Sequence, residues 1–131
     1  MESKIIEKVR GRMMRKMAVV EGSITTCTEK FSEDYEKFLN WYAEDLYKNK
    51  KLLEYYKVLL TTISVGDLSY LKETLRHHVE HLGDDILHGS LRKSSTNSFA
   101  NLAHVLDLEV KQTVITVCSV MLSEITELER Q

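Results

Sequence analysis

Apolar residues near the start of the chain return every third or fourth position: Ile6, Val9, Met13, Met17, Val20, Ile24, Cys27 and Phe31. That step is the period of one helical face. It predicts a helix over residues 3–28, either bent or divided where Gly22 and Ser23 weaken the pattern. Ser32, followed by Glu33, Asp34 and Glu36, offers a hydroxyl cap and an acidic first turn for the next helix. Its stripe of Tyr35, Phe38, Tyr42 and Leu46 runs to a break near Asn49. Leu52, Leu53, Tyr56, Leu59, Leu60 and Ile63 form a third helix ending near Gly66. Asp67 caps a fourth, which carries Leu68, Leu71, Leu75, Val79, Leu82 and Ile86 and stops with Gly89 as its C′ residue. A polar, serine-rich loop spans 89–98. Then Phe99, Leu102, Leu106, Val110, Val114, Val117, Met121, Ile125 and Leu128 predict a closing helix of about 30 residues. The β-branched run TVITVCSV within it would suit a buried strand, but no partner strand is present elsewhere. The expectation is one all-α domain over residues 1–131, a four- or five-helix bundle with a long C-terminal helix.

Composition supports that pattern. The chain has 131 residues, no proline and only 5 glycines, so the usual interrupters of helices and builders of β-turns are scarce. Cys27 and Cys118 are too few for a disulfide framework or a thiolate zinc site and read as buried thiols. No stretch approaches the roughly 20 apolar residues of a membrane span, so the expected location is cytoplasmic, with no membrane partner. Net charge is −2, unevenly spread. Residues 1–20 carry six basic side chains against Glu2 and Glu7; Asp67, Glu73, Glu80, Asp84 and Asp85 outweigh Lys72 and Arg76.

Three groups of residues are candidates for function. The first is the histidine-rich part of the fourth helix. His77, His81 and Asp85 stand one helical turn apart and could chelate a divalent cation from one face; a solvated face carrying i, i+4 pairs is the preferred alternative. The same segment, Arg76-His77 followed by His81, resembles the catalytic motif of HEPN-type ribonucleases, which are all-helical and usually dimeric. The resemblance covers six residues and lacks the family's usual His-Gly-Tyr ending. It implies a ribonuclease in which Arg76 holds the scissile phosphate and His81 acts as general acid–base.

The second group is the basic face of the first helix. Lys8, Arg12, Arg15 and Lys16 lie opposite the apolar stripe and could contact a phosphate backbone. Their competing role is the outer face of a core helix, with Glu124, Glu127 and Glu129 as neighbours if the terminal helices run antiparallel. The third group is aromatic. Trp41, Tyr47 and Tyr55 fall at least partly outside the core stripe, and surplus aromatics are enriched at interface hot spots. No phosphate-binding loop, nucleophile elbow or paired Cys-x-x-Cys is present, and no cofactor is expected.

These readings rank as follows. A non-enzymatic protein-interaction module comes first: an adaptor, a regulator, or a viral or mobile-element accessory protein, with itself (as a dimer) and another protein as partners. Nucleic-acid binding, or cleavage through Arg76 and His81, is second, and a metal-binding bundle third. The dimer follows from the closing helix. About 45 Å long, with apolar residues running to Leu128, it needs a second copy to bury its overhang.

Overall fold

The computed structural model describes residues 1–90 and 97–131, and among these there are five α-helices and no strand. They are α1 (Glu2–Glu33), α2 (Tyr35–Trp41), α3 (Ala43–Ser64), α4 (Leu68–Ser90) and α5 (Ser98–Glu129). The all-α bundle with a long C-terminal helix is thus observed. The four long helices run alternately up and down, and α2 forms the corner between α1 and α3. Residues from Val19 to Cys27 share a groove with Tyr42, Asp45 and Asn49, while Arg12 to Val20 share one with Tyr56, so α1 and α3 are antiparallel. α4 packs along α5, likewise antiparallel: Lys72 reaches Glu129 at one end and His104 meets Gly89 at the other. The two pairs join through α3 and α5.

The core lies toward the end of the bundle holding both chain termini. It is built from Ile5, Ile6, Val9 and Met13 of α1, Leu59 and Ile63 of α3, Leu68, Leu71 and Leu75 of α4, and Val114, Cys118, Met121 and Ile125 of α5. The β-branched run in α5 is helical. Val114 and Val117 face the core, and the hydroxyls of Thr113 and Thr116 donate to the carbonyls of Glu109 and Gln112, so their donors are satisfied within the helix. Cys27 and Cys118 are buried free thiols, and burial pushes the Cys118 thiol up to about 11.

Several boundaries differ from those expected. α1 is one helix through Gly22, the undivided alternative, and runs past the expected end to Glu33, with the hydroxyls of Thr25, Thr26 and Thr28 satisfied by carbonyls four residues earlier. Asp34, rather than Ser32, caps α2, accepting from the Lys37 amide at 3.0 Å. The break falls at Tyr42, and Asn49 lies inside α3. Gly66 ends α3 with φ +84, and the Asp67 carboxylate caps α4 by accepting from the Tyr70 amide. Gly89 is helical rather than a C′ residue. Of the expected 89–98 loop, residues 91–96 lie outside the described residues.

The expected overhang is at the other end of α5. Leu128 packs against the core, covered by the start of α1, whereas Phe99, Leu102 and Val105 are exposed. No helix among the described residues is long and apolar enough to cross a membrane.

Candidate functional sites at the aromatic tip and the α3–α5 cleft

The corner made by α1 and α2 exposes several large aromatic and aliphatic side chains. Trp41 is 72% exposed, Tyr35 57%, Leu39 53% and Phe31 51%, while Phe38 beneath them is buried. Phe31 meets Tyr35 and Phe38 edge-on, at centroid distances of 5.5 and 5.2 Å, the geometry that aromatic quadrupoles favour. Trp41 was marked by its position outside the apolar stripe. Phe31, Tyr35 and Leu39 were not: the stripe placed Phe31 and Tyr35 in the core, and only the turn at Tyr42 leaves α2 with too little backbone above it to cover them.

The other two aromatic candidates, Tyr47 and Tyr55, are half-buried on a different surface. Between α3 and α5 a cleft of about 360 Å³ is lined by Lys51, Glu54, Tyr55, Val58, Asp107, Val110 and Lys111. The Tyr47 hydroxyl donates to Asp107 at 2.9 Å, which pushes the phenol's pKa up and keeps it a donor. Lys51 sits over the Tyr47 ring, 5.8 Å from its centroid. Tyr55 is also raised, by burial first and then by Asp85 and Asp107. Asp85 reaches the cleft from α4, 3.6 Å from Lys111 on one side and 3.6 Å from His81 on the other. Acids and bases alternate around this cleft, so it carries compensated charge rather than a field of one sign.

On α4, Arg76, His77 and His81 are exposed and His78 is half-buried. The rings of His77 and His81 stack, 5.8 Å apart and 8° from parallel. Among the described residues no three His, Cys, Asp or Glu side chains converge on a position that could hold a metal ion; of the candidate set, Asp85 is engaged by Lys111. Arg76 and His81, five residues apart, point about 140° from each other around the helix. One copy of α4 therefore does not bring them to a common substrate atom.

His78 carries a pH consequence. Burial, then the neighbouring His77 and His81, lower its pKa below the usual 6.5. The unfolded chain therefore binds this proton at higher pH than the folded one. Its contribution to stability is whole above about 6.5 and is lost as pH falls from there toward the folded value. Urea unfolding of wild type and His78→Gln between pH 8 and pH 5 should show the wild type losing stability faster below 6.5. A constant difference across that range would refute it.

The four basic candidates of α1, Lys8, Arg12, Arg15 and Lys16, are exposed. Arg12 lies 2.8 Å from Glu124 of α5, as expected for antiparallel terminal helices. The pair is ionic rather than a well-aligned hydrogen bond, since the buried Glu124 Oε2 has no hydrogen-bond partner. Glu129 pairs with Lys72 of α4 and Glu127 with Arg130. Lys8, Arg15 and Lys16 form no ion pair among the described residues. Comparison with known protein families, curated proteins and solved structures finds no match.

Proposed function

We propose that this chain is a non-enzymatic protein-interaction module, of the adaptor, regulatory or accessory type, that works as a homo-oligomer. The observation carrying this reading is the aromatic tip. Trp41, Tyr35, Leu39 and Phe31 together place large apolar side chains in water at one corner. Phe31 and Tyr35 in contact form the kind of exposed apolar patch that marks a contact surface, and Trp and Tyr are the side chains that contribute most when such a surface is covered. Phe31 and Tyr35 are pre-ordered by edge-on ring contacts, so docking onto them costs little side-chain entropy.

The test compares wild type with Tyr35→Ser/Trp41→Ser as bait in native-source lysate, with and without nuclease. The expected result is a protein captured by wild type, lost with the variant and indifferent to nuclease, while circular dichroism of both chains is the same. Equal capture by both baits, or capture abolished by nuclease, overturns the reading. Sedimentation equilibrium at tens of micromolar checks the homo-oligomer: a mass of twice 15.2 kDa is expected.

A further inference from the structure

α1 has an outward face, bordered by α5 near Lys8 and Gly11 and by α3 near Gly22. It runs through Lys4, Lys8, Gly11, Arg15, Ala18, Gly22, Thr25 and Glu29 in steps of three and four, on the side away from Ile6, Val9, Met13 and Val20. Charge along it divides at the middle: Lys4, Lys8 and Arg15 lie in the first half and Glu29 in the second, with Glu33 at the end of the helix. These opposite charges cannot neutralise each other within one chain. Arg15 and Glu29 are 14 residues apart on a straight helix, about 21 Å, against a screening length of about 8 Å at physiological salt. Neither forms an ion pair among the described residues.

A helix that is positive in one half and negative in the other is complementary to a reversed copy of itself. Two glycines on this face suit a close approach. A Cβ on Gly22 would meet nothing within 4 Å, and one on Gly11 only the tip of Arg15 at 3.5 Å. Nothing inside the chain therefore requires glycine at these two helical positions, where it is unfavourable. Gly22 is also midway between Arg15 and Glu29.

We infer that two copies of the chain pair antiparallel along the outward face of α1, with Gly22 at the two-fold axis and the basic half of each helix against the acidic half of the other. In that register Arg15 of each copy lies opposite Glu29 of its partner, and Lys8 lies within about one turn of the partner's Glu33. Every contact occurs twice, as a two-fold interface demands. The inference rests on the homo-oligomeric reading above and deepens it by naming the surface; the aromatic tips are left for another protein.

Two variants test it: Lys8→Glu/Arg15→Glu, acidic along the whole face, and Glu29→Lys/Glu33→Lys, basic along it. All four side chains are exposed, and the one ion pair that any of them makes among the described residues, Glu33 with Lys30, is a surface contact, so both variants fold as wild type by circular dichroism. In sedimentation equilibrium on nuclease-treated protein, wild type is dimeric at 50 mM salt and weakens at 500 mM. Each variant alone dimerises at least tenfold more weakly, and an equimolar mixture restores a 1:1 heterodimer. Variants that dimerise like wild type, or a mixture that stays monomeric, overturn the pairing and leave the homo-oligomeric reading standing. So does a dimer abolished by Tyr35→Ser/Trp41→Ser. A wild type that is monomeric at tens of micromolar in low salt overturns both.

Discussion

Leu75→Ala is expected to remove about 2–5 kcal/mol of folding stability, the range for emptying a fully buried leucine site. Leu75 is 0% exposed, within the cluster formed with Leu71, Leu59, Ile63, Cys118 and Ile125. The size of such a loss depends on how far the surroundings collapse into the space. Collapse is restricted here because α4 is held along α5 at both ends, by Lys72–Glu129 and by His104–Gly89. Since domains of this size are stable by roughly 5–15 kcal/mol, this one methyl-rich side chain decides a large share of the total. Urea unfolding should show a lower midpoint with an unchanged slope. Val58→Ala, at a position 52% exposed, should shift stability by no more than about 0.5 kcal/mol. A Leu75→Ala loss as small as that of Val58→Ala would place the core elsewhere.

The helices were legible because their buried positions recur at helical spacing, and the paired caps at Asp67 and Gly66 were legible because each residue type has a distinct backbone role. What escaped reading was set by contacts between elements. Nothing at Tyr42 announces a break. It is neither glycine nor proline, and its amide still bonds to the Phe38 carbonyl; the turn comes from α3 folding back along α1. The exposure of Phe31 and Tyr35 follows from that turn, so the stripe that assigned them to the core was a correct helical signal with no helix opposite. Gly22 does not divide α1, which is the undivided one of the two alternatives the weakened pattern left open. The candidate cleft was half legible. Tyr47 and Tyr55 stood out as surplus aromatics, but Asp107 and Lys111 are ordinary polar positions of an amphipathic helix until α3 is laid beside α5. Arg76 and His81 matched a spacing in the chain that α4 does not convert into proximity.

Gly89 and Gly22 are both helical, yet the same change to alanine should act in opposite directions at the two. At Gly22 an added Cβ meets nothing within 4 Å, so Gly22→Ala should gain most of the roughly 1 kcal/mol by which alanine is the better helix former. At Gly89 the added Cβ would lie 2.8 Å from Leu108 Cδ2 and 3.2 Å from His104 Cε1. Leu108 can rotate away only by giving up packing. His104 is less able to move, because its Nε2 donates to the Gly89 carbonyl at 2.9 Å. Overpacking of this kind costs about 1–3 kcal/mol, which exceeds the gain in propensity, so Gly89→Ala should be destabilising by about 1 kcal/mol. The two alanines should thus differ by about 2 kcal/mol in unfolding experiments at low protein concentration and high salt, where association does not contribute. If the clash with Leu108 is the cause, a double-mutant cycle with Leu108→Ala should recover most of the Gly89→Ala loss. An alanine at 89 that stabilises as much as one at 22 would mean that α4 and α5 are not in close contact at that end of the bundle.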